Sequence, residues 1–103
     1  MYKIALVCEH GASTGICVRK MVEAASKLGI ESDIAAYSAG KLSTIINDLD
    51  CILLAPQLAF RLDHFKKTYP EHVAKMSVVN PMDFGMMDGE KILKEAVAMI
   101  EKK

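Results

Sequence analysis

The stretch KIALVCEHGASTG, residues 3–15, decides the fold class of this chain. Residues 3–8 form an apolar run that is too continuous for a strand with one solvated face, so they predict a central strand. The glycines and hydroxyl residues that follow are typical of a turn that enters a helix. From about Thr14 to Leu28 a helix is predicted, whose buried stripe is Cys17, Met21, Ala25 and Leu28, and Gly29 predicts a left-handed cap.

The rest of the chain repeats this alternation of strand and helix. Further strands are predicted at 31–37, which has the mixed polarity of an edge strand, at 51–56, which is a second apolar run, and at 75–80. Amphipathic stretches predict helices at 38–49, at 57–69 and from a cap at Asp88 onward, with a turn at 81–85.

This order predicts one α/β domain over residues 1–103. Four strands alternate with four helices, and right-handed crossovers then favour a doubly wound, four-stranded parallel sheet with helices on both faces. The expected strand order is 2-1-3-4.

Composition excludes several classes of function. The 103 residues carry 13 basic and 13 acidic side chains, for a formal net charge of zero, which argues against a nucleic-acid or anionic-membrane surface. No apolar run approaches the roughly 18 residues of a membrane span, and the N-terminal run is too short for a signal peptide. Three cysteines without CxxC spacing favour a reducing compartment. We therefore expect a cytoplasmic chain without membrane insertion, with a monomer as the default.

A ligand site is expected at the switch point between the first and third strands. Ligands of doubly wound sheets bind beyond the carboxyl ends of the strands there, and these ends are Cys8 and Ala55. Backbone N–H groups of the following turn and the positive end of the next helix can hold a phosphate without a lysine. The same field favours the thiolate of Cys8, a candidate nucleophile. The candidate phosphate loop consists of Glu9, His10, Gly11, Ala12, Ser13, Thr14 and Gly15.

Other interpretations of the cysteines stay open at this stage. A cysteine at a strand end is often a small buried apolar group, the interpretation that fits Cys17 and Cys51 best. A Cys-x5-Arg phosphatase loop is disfavoured, because Thr14 stands where the arginine is needed. A receiver domain lacks its acidic residues at the strand ends, a dithiol oxidoreductase lacks a close resolving cysteine, and no metal site is expected.

Methionines crowd the segment before the last helix. Met82, Met86 and Met87 are predicted to lie on the same rim as Cys8, where they either dock a partner or fold onto their own core. The candidate docking rim consists of Pro56, Gln57, Phe84, Met86 and Met87.

Three motifs in register carry a family resemblance over nearly the whole chain. They are the Cys-x-x-Gly-x-Ser-Thr loop at 8–14, DCILLAPQ at 50–57 and FGMMDGEKIL at 84–93. With them the chain resembles the enzyme IIB component of the lactose/cellobiose (chitobiose) class of the bacterial phosphoenolpyruvate-dependent sugar phosphotransferase system (PTS). The chain departs from the family at Glu9 and His10, where small residues are usual, and at Phe84, where a tyrosine is often found.

The resemblance implies a phosphoryl relay. The family's active cysteine corresponds to Cys8, which would accept a phosphoryl group from a phosphohistidine of enzyme IIA. It would pass the group to a β-linked disaccharide of cellobiose, lactose or chitobiose type, held by the membrane enzyme IIC during import. No cofactor, metal or nucleotide is implied. The alternative hypothesis is a non-catalytic or regulatory relative that docks enzyme IIA. The reason for it is Glu9, whose negative charge next to Cys8 would repel a phosphoryl group.

Overall fold

A single parallel sheet forms the centre of the part of the chain that the structure describes. The computed structural model describes residues 1–9 and 12–102, and residues 12–14 as backbone only. The strands are β1 (Tyr2–Cys8), β2 (Ser32–Ser38), β3 (Cys51–Leu54) and β4 (Met76–Val78). Their order is β2-β1-β3-β4, and each neighbouring pair is parallel. The predicted sheet and its order are confirmed.

Strands β1 and β3 occupy the two central positions, as their apolar runs predicted. β1 pairs with β2 from Tyr2 opposite Ser32 to Cys8 opposite Ser38, and it also pairs with β3 along its other side. The last five residues of β1 and all of β3 are buried. This burial explains the unbroken apolar sequence, since a strand that is covered on both faces has no position for a solvated side chain.

Helical segments cover both faces of the sheet. The α-helices are α1 (Ala12–Leu28), α2 (Leu42–Ile45), α3 (Leu62–Thr68), α4 (Pro81–Gly85) and α5 (Gly89–Glu101). Turns of 3₁₀-helix span Ala39–Lys41, Ile46–Asp48, Pro56–Arg61 and Pro70–Lys75. Within the described ranges, no helix has both the length and the apolar character needed to cross a membrane.

Alternate side chains of β1 enter two different cores. Ile4, Leu6 and Cys8 belong to the core that includes buried residues of α1 and α5, whereas Ala5 and Val7 belong to the core on the side of α2 and α3. The alternation follows from the period of two residues in a strand. Cys8 therefore lies on the α1/α5 side of the sheet, at the carboxyl end of β1.

The helices on the α2/α3 side are less regular than the sequence indicated. The helix predicted at 38–49 is α2 with a 3₁₀ turn on each side, and the one predicted at 57–69 begins as the 3₁₀ turn Pro56–Arg61. Pro56 stands at the start of that turn, where its fixed φ and missing N–H are tolerated.

The prediction of a turn at 81–85 was wrong, because these residues form α4. The side chain of Asn80 caps this helix by accepting hydrogen bonds from the backbone N–H groups of Met82 (2.8 Å) and Asp83 (3.3 Å). Pro81 follows as the first helical residue, a position at which its missing N–H costs nothing. The prediction of four helices therefore missed a short one.

The predicted caps of α1 and α5 are confirmed. Gly29 ends α1 with a φ of +69°, the left-handed conformation that glycine adopts without strain. The Asp88 side chain accepts a hydrogen bond from the Lys91 N–H at 3.2 Å at the start of α5. Leu28, predicted to lie on the buried stripe of α1, is instead 41% exposed, and Ala24 is buried on that helix. Leu28 is the last residue of α1 and lies beside the Gly29 cap, at the end of the packed stretch of the helix.

Candidate functional site

Cys8 lies at the carboxyl edge of the sheet, between the ends of its two neighbouring strands. Its side chain is 7% exposed. It stands opposite Ser38 of β2, and the Ala55 N–H, just past β3, donates to the Val7 carbonyl at 2.9 Å. The two strand ends that the sequence placed at the switch point, at Cys8 and Ala55, are therefore neighbours. In doubly wound sheets this edge is where ligands bind.

Part of the candidate phosphate loop lies outside the described residues. His10 and Gly11 are not described, and the backbone of residues 12–14 forms the beginning of α1. Gly15 is exposed within that helix. Because α1 follows a parallel strand and returns along the sheet, its N-terminus lies at the same edge as Cys8. The N–H groups of a first helical turn lack partners within the helix and attract anions, so the backbone around 12–14 is suited to a phosphate.

Glu9, the residue after Cys8, forms an ion pair with Arg61. The Nη1 group of Arg61 donates to Oε1 of Glu9 at 3.3 Å, across 52 positions of sequence. The Glu9 side chain is 58% exposed and that of Arg61 30%. The guanidinium also lies over the ring of Phe65, 5.0 Å from its centroid, and Phe65 is buried. Arg61 is thus held between a carboxylate and an aromatic ring.

The residues predicted for the docking rim separate into buried and exposed groups. Phe84 is 7% exposed and belongs to the same core as Cys8, so it supports the rim from beneath and does not form its surface. Met87 packs against that core as well, with a φ of +53°. Met86 is 72% exposed, Gln57 is exposed and Pro56 is half-buried.

The helical geometry of α4 explains which methionines face outward. The Met86 N–H donates to the Met82 carbonyl at 3.0 Å, so these two residues lie one turn apart on the same face. Met82 is 71% exposed, and Phe60, in the 3₁₀ turn that follows β3, is 79% exposed. We refer to Phe60, Met82 and Met86 as the apolar rim. Its members lie on segments that follow β3 and β4, at the edge of the sheet that carries Cys8.

A buried carboxylate ties α4 to α5. Asp83 is 4% exposed, and its Oδ1 lies 3.2 Å from the Nζ of Lys91. The Asp83 carbonyl also accepts a hydrogen bond from the N–H of Asp88, at 2.9 Å. These contacts fix α4 against the start of the last helix, and so they fix Met82 on α4 and Met86, which directly follows it.

The other two cysteines are core residues, as their sequence context predicted. Cys17 and Cys51 are fully buried, and neither they nor Cys8 forms a disulfide. Burial raises the pKa of the Cys17 thiol, which keeps that residue protonated and poorly nucleophilic at neutral pH. Within 1–9 and 12–102, no three His, Cys, Asp or Glu residues come together as ligands for a metal ion.

Sequence reasoning missed Arg61 and Phe60. Both residues were assigned to a helix at 57–69. The local sequence pattern does not distinguish a helix residue that only faces solvent from one that lies near the functional site. The signal that finds them is topological. They stand in the segment that follows β3, and β3 is the neighbour of the strand that ends at Cys8.

The fold and the site define a doubly wound α/β protein with a cysteine at the carboxyl end of a central strand, just before a helix N-terminus. The chain belongs to the family described as "PTS system, Lactose/Cellobiose specific IIB subunit", whose model matches residues 3–95. It is thus a sugar-specific phosphotransfer component of the PTS, of the lactose/cellobiose type. The resemblance found in the sequence is confirmed.

Individual relatives match nearly the whole chain. It is 32% identical over 100 residues to the PTS system oligo-beta-mannoside-specific EIIB component of Bacillus subtilis, covering 97% of both chains. It is 35% identical over 98 residues to the galactose-specific EIIB component of Lactococcus lactis subsp. cremoris, covering 90% of this chain and 91% of the relative. The solution structure of a cellobiose-specific IIB component from Borrelia burgdorferi superposes with a TM-score of 0.84 at 31% identity, over 99% of this chain and 94% of that one.

Proposed function

We propose that residues 1–103 act as a single IIB domain that carries a phosphoryl group on Cys8. The observation that carries the proposal is the position of Cys8, at the switch point of the sheet and directly before the loop that leads into α1. In the first step the P–N bond of a phosphohistidine on enzyme IIA breaks as Sγ of Cys8 bonds to phosphorus. In the second step a sugar hydroxyl oxygen bonds to phosphorus as the P–S bond breaks; Cys8 is released as a thiolate, and the hydroxyl proton passes to solvent.

The surroundings of Cys8 suit both steps. Backbone N–H groups at the start of α1 are donors for the phosphoryl oxygens, because the transition state spreads negative charge over the three equatorial oxygens. Fixing these donors in the fold removes the cost of ordering them during the reaction. The 7% exposure of Cys8 limits the access of water, which would otherwise hydrolyse a phosphocysteine.

The proposed partners are enzyme IIA as donor and the membrane enzyme IIC, with its bound sugar, as acceptor. We propose a β-linked disaccharide as the sugar, and a cytoplasmic location in which the monomeric domain reaches both partners. The named relatives are specific for oligo-β-mannoside, galactose and cellobiose, so members of this family serve different sugars. The choice of sugar is then a property of enzyme IIC, which holds it.

The alternative, a relative that docks enzyme IIA without turnover, rested on the charge of Glu9 next to Cys8. The ion pair between Glu9 and Arg61 balances that charge. The pairing supports phosphoryl transfer over the non-catalytic alternative.

The proposal is tested by the intact mass of the wild-type protein. It is incubated with phosphoenolpyruvate, the general phosphotransferase proteins and a candidate enzyme IIA, and we expect a gain of one phosphoryl group, located on Cys8 by peptide mapping. A reaction without enzyme IIA is the control and should give no gain. Binding of several enzyme IIA proteins without any gain in mass would contradict the proposal and support the non-catalytic alternative.

We propose that the apolar rim is where enzyme IIA docks, and Phe60→Ser should therefore weaken this encounter. Phe60 is the most exposed residue of the rim, and an aromatic anchor typically contributes enough to binding that its loss raises KM for phosphorylated enzyme IIA about tenfold, with little change in kcat. Leu28→Ser is the matched control, since Leu28 is an exposed leucine at the far end of α1. Equal KM values for the two variants would show that the rim is not the docking surface.

A further inference from the structure

We propose that Arg61 is a positioning residue of the Cys8 site and acts through Glu9. It holds the Glu9 carboxylate at an exposed position, so that an anionic group can reach Cys8. This inference rests on the proposed phosphoryl role of Cys8. The observation behind it is the ion pair between Arg61 and the residue that directly follows Cys8.

The negative charge of Glu9 next to Cys8 is not offset by the backbone groups of the described site. A carboxylate one residue from Cys8 repels an incoming phosphoryl group, which carries negative charge on its oxygens. The backbone N–H groups of α1 are partial charges, and Thr14 stands where a Cys-x5-Arg loop carries its arginine. Arg61 brings a full positive charge to Glu9 from another segment of the chain.

Arg61 is anchored independently of the loop. It ends the 3₁₀ turn that begins at Pro56, and the N–H of Leu58 in that turn donates to the Ala55 carbonyl at 2.8 Å. Leu58 and Phe65 are both buried in the α2/α3 core, and Phe65 lies beneath the guanidinium. The Arg61 guanidinium is thus held by the α2/α3 core. Glu9, its ion-pair partner, directly follows Cys8, which belongs to the α1/α5 core on the other face of the sheet.

The test compares two alkylating reagents at Cys8. Iodoacetate and iodoacetamide react alike, forming an S–C bond and releasing iodide, but only iodoacetate is an anion. The ratio of their rates at Cys8, measured on the folded protein at low ionic strength by peptide mass spectrometry, therefore reports the charge near Sγ. Access to the thiol and its ionisation affect both reagents and cancel in the ratio.

We expect Arg61→Met to lower the iodoacetate-to-iodoacetamide ratio about fivefold, the effect of releasing the Glu9 carboxylate next to Cys8 at a partly exposed site. Methionine keeps an apolar stem over Phe65 while the charge is lost. Arg61→Lys restores the cation and should stay within about twofold of wild type. Arg61→Gln is a second neutral variant, and it should lower the ratio as much as Arg61→Met does. Unchanged ratios in both neutral variants would overturn the proposal.

The coupling to Glu9 separates a positioning role from a general charge effect. In a Glu9→Gln background, Arg61→Met should lower the ratio clearly less than in the wild-type background, because the direct field of the Arg61 cation on the reagent is lost in both backgrounds but no carboxylate is left to hold. If Arg61→Met lowers the ratio as much in the Glu9→Gln background as in the wild-type background, Arg61 does not act through Glu9 and the proposal fails. Thermal unfolding of each variant identifies any loss of folded protein.

The two proposals can fail separately. Alkylation needs no phosphoryl donor, so a wild-type protein that gains no phosphoryl group but shows the expected ratios would refute the proposed function and leave the role of Arg61 standing. If the wild-type protein is phosphorylated on Cys8 but Arg61→Met and Arg61→Gln leave the alkylation ratio unchanged, only the inference about Arg61 is refuted.

Discussion

Cys8→Ser should lower the rate of phosphoryl acceptance from enzyme IIA by about a thousandfold or more. Serine differs from cysteine by one atom and is close in size, so the end of β1 should keep its structure. A hydroxyl is almost fully protonated at neutral pH, whereas a thiol is partly ionised, and the thiolate is the far better nucleophile. The measurement is the intact mass of the variant over time beside wild type.

The other two cysteines provide matched controls for Cys8→Ser. Cys17 and Cys51 are fully buried, so Cys17→Ala and Cys51→Ala remove a thiol from the core without touching the edge of the sheet. Both variants should accept a phosphoryl group at close to the wild-type rate wherever they are folded. Acceptance by Cys8→Ser at the wild-type rate would show that the phosphoryl group is carried elsewhere.

The arrangement of the sheet could be predicted from the sequence because the signal is local to each strand. Residues 4–8 and 51–56 are apolar throughout, and only a strand that is covered on both faces needs that composition. Right-handed crossovers then leave few possible orders for four strands. The structure confirms the resulting order, β2-β1-β3-β4.

Short helices were harder to predict because two signals at the same residues compete. Pro81 was interpreted as part of a turn, but a proline that directly follows an asparagine cap also begins a helix. The difference matters for the rim. A helix at 81–85 turns Phe84 into the core while Met82 and Met86 face solvent, an outcome that a loop does not predict.

The candidate site likewise contains one feature that the local sequence predicts and one that it does not. Cys8 was found from its place at the end of an apolar strand, which is a local property. The ion pair between Glu9 and Arg61 spans 52 positions and depends on β1 and β3 being neighbours, so no local pattern contains it. The phosphate loop stays a prediction at His10 and Gly11, which lie outside the described residues.

Gly89→Ala should destabilise the fold more than other glycine substitutions in the described chain. Gly89 is the first residue of α5 and is buried against α1. A Cβ atom there would lie 2.4 Å from the carbonyl carbon of Lys20 and 2.5 Å from the backbone nitrogen of Met21. These are backbone atoms within a helix, so no rotamer change relieves the overlap and the two helices must move apart.

The expected cost of Gly89→Ala is about 2–3 kcal/mol in the free energy of unfolding, the upper part of the range for overpacked cores. In a domain of this size that lowers the unfolding midpoint by about 10–20 °C, measurable by calorimetry or circular dichroism. Gly40→Ala is the control, since a Cβ at Gly40 meets nothing within 4 Å, and its midpoint should change little. Equal midpoints for the two variants would mean that α1 and α5 separate at little cost. In that case the contact between α1 and α5 would not be what holds the first turn of α1 in place for the proposed phosphoryl binding.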